Sequence, residues 1–220
     1  MTDLEKIIHE METHPLRVHD YVVANAERGD PTTVLAAMDR YAREERFLMN
    51  IGPDKGALVR EVFSRLPENP RVLELGTYCG YSAILFGTQL GEGGQLVSLE
   101  LGQESVEASR ANVEFAGLSD RVEIIQGDAA ETIPTLDGTF DMVFLDHWKD
   151  LYKRDLLAIE AQGLLQPGSL VVADNVGESF NPAEYLEYVR TCGHYECEHR
   201  EATIEYSTLP DAVEISVYRP

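Results

Sequence analysis

The chain has 220 residues, 44% of them hydrophobic, enough to build one α/β domain with a full core. Its 39 acidic against 18 basic residues leave a net charge of −21, which repels nucleic acid and other polyanions and suits a small neutral or cationic ligand, or a metal ion. No stretch approaches the roughly 18 consecutive apolar residues of a membrane span, and the opening Met1-Thr2-Asp3-Leu4-Glu5-Lys6 lacks the basic-then-apolar pattern of a signal peptide. Cys79, Cys192 and Cys197 include no CxxC pair, so neither a disulfide framework nor a zinc site is expected, and a cytoplasmic location is.

The first 66 residues read as helical. Gly29 can end one helix, Asp30 can cap the next, and Pro31 suits its first turn. Val34, Leu35, Met38, Tyr41 and Ala42 then share one helical face. A break at Asn50-Ile51-Gly52-Pro53 precedes another helix, to about Leu66. From Arg71 the pattern alternates. Val72-Leu73-Glu74-Leu75 reads as a strand, followed by a helix from about Gly80. Gln95-Leu96-Val97-Ser98-Leu99 is a second strand, with a helix over about 103–116, and Val122-Glu123-Ile124-Ile125 is a third. The short apolar runs Met142-Val143-Phe144-Leu145 and Leu170-Val171-Val172-Ala173 read as buried parallel strands. Strand–helix alternation implies right-handed crossovers and a parallel sheet. Tyr195 to Glu201 and Ala212 to Tyr218, joined without a long helix, are expected to pair as a hairpin. With no repeat, low-complexity tract or linker, residues 1–220 are expected to form one domain: a helical N-terminal part, 1–66, and an α/β core, 71–220.

The first strand runs into Gly76-Thr77-Tyr78-Cys79-Gly80-Tyr81-Ser82. This is not G-x-G-x-x-G, because Tyr78 and Cys79 break it, so the loop can turn tightly against a nucleoside without cradling a pyrophosphate. Glu100 closes the second strand, where an acidic side chain can take both ribose hydroxyls. Glu74 is a carboxylate inside an apolar strand and needs a partner, which a sulfonium or an amino group would provide. Together Glu74, Gly76, Gly80 and Glu100 suggest a nucleoside without phosphates, and S-adenosylmethionine is the common cofactor of that description. Singly these signals are weak: a glycine turn is frequent, and Glu100 could be a solvated strand end.

The fourth strand ends on Asp146 and the fifth on Asp174-Asn175, so their oxygens fall at the carboxyl edge of one sheet, where open α/β folds bind ligands. Two carboxylates and an amide oxygen make a hard site suited to Mg²⁺ and leave room for water and a chelating substrate, such as a 1,2-diol on an aromatic ring. The plainer alternative is that Asp174-Asn175 makes a turn. Lys149 follows Asp146 by three residues, where a neighbouring cation and partial burial would make it a general base rather than surface charge. Trp148 could wall a flat substrate or simply pack. His9, His14 and His19 step by about 140° on a helix and do not converge as ligands.

These residues resemble catechol O-methyltransferases. The likeness covers nearly the whole chain and is strongest in Met49-Asn50-Ile51-Gly52, Leu73 through Ser82, Asp141 through Asp150 and Ala173-Asp174-Asn175-Val176, with Ile204-Glu205-Tyr206 in the tail. It implies a Rossmann-like, seven-stranded, mostly parallel sheet with the last strand antiparallel and helices on both faces. It implies Mg²⁺ on Asp146, Asp174 and Asn175, Lys149 as the base, and Glu205 on the second hydroxyl. Glu100 with Leu101 would serve the ribose and adenine side, while Glu74, Tyr78, Ser82 and the backbone around Ile51 would hold the methionine portion. His147 and Trp148 would line the adenine and substrate sides, and Met49 would border the methyl-transfer path. Three positions depart from the vertebrate pattern. Phe47 replaces a tryptophan, the 177–180 loop is about one residue longer and lacks a proline, and Asp128-Ala129-Ala130 replaces a Ser-Gln stretch. Asp128 there is a candidate acceptor for the adenine amino group.

The expected activity is therefore Mg²⁺-dependent methyl transfer from S-adenosylmethionine to one hydroxyl of a catechol, by a monomer or weak homodimer that binds no nucleic acid and no membrane. A related enzyme acting on aromatic acyl-CoA esters is the nearest rival, disfavoured by the acidic surface. A non-catalytic module that binds the same cofactor is disfavoured by the complete Asp-Asp-Asn, Lys and Glu set. The charge and the lack of a basic patch disfavour a nucleic-acid methyltransferase.

Overall fold

The computed structural model describes residues 15–220. His9 and His14 lie outside the described residues, and His19 Nδ1 stands 2.8 Å from Asn112 Oδ1. Three helices open the described residues: α1 (Pro15–Asn25), α2 (Pro31–Glu44) and α3 (Gly52–Phe63). Asp30 caps α2 by accepting from Thr32 N at 2.9 Å, and Pro31 occupies the first turn, as expected. Two boundaries move. Helix α1 ends at Asn25, and Gly29, at φ +85°, closes the turn that follows. Helix α3 stops three residues short of Leu66.

The α/β part follows as β1 (Arg71–Leu75), α4 (Tyr81–Gly87), β2 (Gln95–Glu100), α5 (Gln103–Phe115), β3 (Val122–Gln126), a short α6 (Ala129–Thr132), β4 (Phe140–Leu145), α7 (Tyr152–Ala161), β5 (Leu165–Ala173), α8 (Ala183–Thr191), β6 (Tyr195–Thr203) and β7 (Pro210–Tyr218). The seven strands lie in the order β3-β2-β1-β4-β5-β7-β6. The first five run parallel, and β7 is antiparallel to both β5 and β6. The tail hairpin forms as expected, but the chain returns so that β7 inserts beside β5 and β6 takes the edge. Strand β5 begins five residues before the apolar run, at Leu165, since Pro167 and Gly168 lie at its exposed start.

Side-chain alternation along the strands divides the core into two faces. Val72, Leu96, Met142, Phe144, Val172 and Ile215 pack with Val18, Met38, Val59 and Phe86 of α1–α4. Leu73, Leu75, Val143, Leu145, Val171 and Ala173 pack with Tyr152, Leu156, Ile159, Tyr185 and Val189 of α7 and α8. Strands covered on both sides are apolar at nearly every position, which is why β4 and β5 were legible as short unbroken runs. The strand order reverses at β1 and β4. The chain leaves β1 toward β2 on one side and returns to β4 on the other, opening a crevice at their carboxyl ends.

Candidate active site

The crevice begins with the β1–α4 loop. Gly76 has φ +91°, and a Cβ there would lie 2.7 Å from the Asp146 carbonyl oxygen, so only glycine lets the loop pass this close to the end of β4. Gly80, at φ +86°, forms the N-cap of α4. Tyr78 lies between them, half-buried and at φ +50°. Glu100, at the end of β2, organises the loop. Its Oε2 accepts from Thr77 N and Tyr78 N at 3.1 and 3.0 Å, and its Oε1 accepts from Gly102 N at 2.8 Å. Beyond it Leu101 is exposed. Glu74 is fully buried under the loop, and Ser98 donates to its Oε2. Burial lifts the Glu74 carboxyl to about 7, against the lowering effect of the Ser82, Ser98 and Thr77 hydroxyls. A serine hydroxyl thus partners one of the two Glu74 oxygens, and Oε1 is buried without a hydrogen-bond partner among the described residues. Asp128 caps α6 by accepting from Ala130 N at 2.8 Å, with Ala129 half-buried beside it.

The β4 and β5 ends carry the acids. Leu145 pairs with Ala173 in register, so Asp146 and Asp174 leave adjacent strands at one level. Asp174 N donates to Leu145 O at 3.0 Å, and Tyr152 Oη donates to Asp174 O at 3.0 Å. Asn175 follows, buried and in the left-handed region at φ +53°. Burial pushes Asp146 up to about 7, against the pull of Lys149, and Asp174 adds to the rise. Lys149 Nζ lies 3.2 Å from Asp146 Oδ1, in a one-turn 3₁₀ segment that starts at that lysine, with its side chain only 17% exposed. Its ammonium also lies over the Tyr152 ring at 5.4 Å and the Phe180 ring at 5.8 Å. The 177–180 loop therefore reaches Lys149 through an aromatic ring.

His147 and Trp148 separate. His147 Nε2 stands 2.8 Å from Asp155 Oδ2, and burial holds the imidazole below its usual value despite that carboxylate. Trp148 is 74% exposed, which removes the alternative that it packs into the core. Met49 is half-buried, while Ile51 is buried just before α3. Phe47 meets the Tyr206 ring edge to face at 6.4 Å.

Two residues at this edge, Lys55 and Asp211, escaped the sequence reading. Lys55, in the first turn of α3, is 2% exposed, and its ammonium contacts Asp174 Oδ1 at 2.8 Å, Glu205 Oε1 at 2.6 Å and Asp211 Oδ2 at 2.6 Å. Burial works against the charge on Lys55, but the three carboxylates outweigh it and hold the ammonium well above its ordinary range. Burial raises Glu205 to about 8, against the pull of Lys55. The second oxygen of Glu205, Oε2, is buried without a hydrogen-bond partner among the described residues. Asp211 Oδ2 also accepts from Asn175 Nδ2 at 2.8 Å. Signals existed for both. A lysine in a helix's first turn opposes the helix dipole and asks for an acid, and Asp211 enters an apolar strand as Glu74 does.

The arrangement offers a glycine loop with an acid at the β1–β2 edge and oxygen donors suited to a hard cation at the β4–β5 edge. A family model described as O-methyltransferase matches residues 29–180. Catechol O-methyltransferase of Bos taurus is 41% identical over 209 residues, spanning 92% of this chain and 76% of that one. Catechol O-methyltransferase B of Danio rerio is 39% identical over 94% of this chain and 79% of its own length. A transmembrane O-methyltransferase of Homo sapiens is 34% identical, over 90% and 69%. Among solved structures, the O-methyltransferase TomG from Streptomyces achromogenes, in complex with SAM, matches with a TM-score of 0.71 at 25% identity, covering 84% of this chain and 89% of that one. The O-methyltransferase from Bacillus cereus, in complex with SAH, matches with a TM-score of 0.70 at 24% identity, covering 86% and 89%.

Proposed function

This chain belongs to the O-methyltransferase family, as a methyltransferase that uses S-adenosylmethionine, and from that premise we propose that it methylates one hydroxyl of a catechol with the help of Mg²⁺. One observation carries the reading. Asp146 and Asp174 stand side by side at the ends of paired strands, with Asn175 next in the chain and Lys149 3.2 Å from Asp146. The catechol O-methyltransferases that share about 40% of its sequence support the substrate class.

The donor set fits the metal. Asp146, Asp174 and the Asn175 amide would hold Mg²⁺ through oxygen alone. When bound, the ion would supply Lewis-acid polarisation that eases ionisation of the reacting hydroxyl. Lys149 takes the proton of that hydroxyl at Nζ. Glu205, with Oε2 unpartnered, accepts from the other hydroxyl. The cofactor would lie along the β1–α4 loop. Glu100 would take its ribose hydroxyls, Glu74, Tyr78, Ser82 and the Ile51 backbone would hold its methionine part, and Asp128 would accept from its adenine. The exposed Leu101 and Trp148 supply apolar surface for that adenine. Holding donor and acceptor in attack geometry can account for about 7–11 kcal/mol of the barrier in favourable systems.

The described residues 15–220 are read as one domain, because α1–α4 and the sheet share a continuous core. Three unpaired thiols suit a reducing cytoplasm, and no helix among the described residues is long and apolar enough to cross a membrane. The deciding experiment is labelled methyl transfer to a panel of catechols and aromatic acyl-CoA esters, with Mg²⁺ and with chelator. Transfer to free catechols that chelator abolishes supports the reading. Preference for the thioesters, or full activity in chelator, overturns it. Asp146→Ala is expected to lose metal-dependent activity while circular dichroism stays native. Unchanged turnover in that variant removes the metal assignment.

A further inference from the structure

We propose that Asp211 and Lys55 are positioning residues: Asp211 holds the Asn175 amide with its oxygen free for a cation, and Lys55 locks Asp211 to Asp174 and Glu205. The inference rests on the Mg²⁺ reading above. Asp211 is buried, and its Oδ2 accepts from Asn175 Nδ2 at 2.8 Å while its Oδ1 accepts from Gly177 N at 3.1 Å. An ionised carboxylate only accepts, so the amide must turn its nitrogen toward Asp211. Its oxygen then occupies the opposite branch. An asparagine without that partner could rotate and offer a cation its N–H₂ group. The backbone is held as well. Asn175 keeps φ +53°, and the next residue is tied to β7 by Val176 N donating to Ala212 O at 3.0 Å. Asparagine enters this left-handed region more readily than other side chains, and the tie to β7 holds it there.

Lys55 supplies the second constraint. Asp174, Glu205 and Asp211 bring one oxygen each to within 4.8 Å of the others, a spacing that would suit an ion. The Lys55 ammonium already sits 2.6 to 2.8 Å from an oxygen of each. The trio is therefore an internal salt-bridge node, and Asp146, Asp174 and Asn175 remain as the set for Mg²⁺. The node joins α3, the end of β5, and the β6–β7 turn with the start of β7, three regions far apart in sequence. Groups behind metal ligands that orient them in this way typically change metal affinity about 10- to 100-fold when removed.

Asp211→Asn tests the idea with little change of shape, because it sets a donor against either Gly177 N–H or the Lys55 and Asn175 donors. Calorimetric titration with MgCl₂ alone is expected to show Mg²⁺ affinity about 10- to 100-fold weaker. S-adenosylmethionine affinity, measured in chelator, should be unchanged. In an Asn175→Ala background, Asp211→Asn is expected to cost no further Mg²⁺ affinity, since it acts through that amide. Equal Mg²⁺ affinity in wild type and Asp211→Asn, or an equal loss in both backgrounds, overturns the proposal alone. No Mg²⁺ binding by the wild type overturns the metal reading and this inference with it. If Asp211→Asn does not fold, the wild type decides by NMR. Slow exchange of the Asn175 side-chain amide protons supports the clamp, and fast exchange overturns it.

Discussion

Glu74 and Lys149 illustrate two different placements of an ionisable group. Glu74 lies under the cofactor loop, where burial raises its carboxyl to about 7. A folded-state value above the unfolded one means that the native protein binds the extra proton between about pH 4.5 and 7. Stability from this group is therefore present at the acid end and is lost as pH rises through that window. Chemical denaturation of the apoprotein at pH 5 and pH 8 should show wild type losing about 1–3 kcal/mol relative to Glu74→Gln over that interval. Parallel pH profiles for the two proteins would contradict the assignment. Lys149 is partly accessible and lies beside Asp146 at the end of β4. Lys149→Ala is expected to lower kcat about 10²- to 10⁴-fold while cofactor affinity holds. Steady-state kinetics with a direct binding titration separates the two, and equal loss in both would refute the role. Lys55 is a third case, a charge with no access to substrate that serves the geometry of its neighbours.

At the level of elements, the site depends on how closely the β1–α4 loop approaches the end of β4. Gly76→Ala would require φ +91° in a residue with a side chain and a contact 2.7 Å from the Asp146 carbonyl. The expected loss is at least about 1–3 kcal/mol of stability by urea denaturation, with weaker cofactor binding as the loop and Asp146 move apart. Wild-type stability in this variant would show that the loop can yield. The strands that carry the acids were readable because burial on both faces leaves unbroken apolar runs, and each run ends where polar residues must meet solvent or ligand. Strand β5 was read short because Pro167 and Gly168, at its exposed start, carry no such pattern. The order of the tail strands was not readable, since a hairpin pattern states that two strands pair and not which of them joins the existing sheet.

For the whole molecule, the net charge of −21 and the clustered acids make cations the natural stabilising ligands. Mg²⁺ binding only to the native state adds about 2.7 kcal/mol at a hundred times its dissociation constant. In a chain of this length each kcal/mol moves the midpoint about 2–4 °C, so differential scanning calorimetry should show a Tm roughly 5–10 °C higher in MgCl₂ than in chelator. NaCl at matched ionic strength should give a smaller, non-saturating rise from screening of self-repulsion. Identical effects of the two salts would argue against a specific site. The amino-acid sequence by itself determined the parallel α/β core, the polar strand ends at Asp146 and Asp174, and the glycine turn, because each follows from local burial and backbone geometry. Only the tertiary structure decided that Lys55, Glu205 and Asp211 converge on Asp174 and Asn175. Their meeting depends on long-range packing of α3 against the β6–β7 turn, and no periodicity along the chain encodes which distant charges become neighbours.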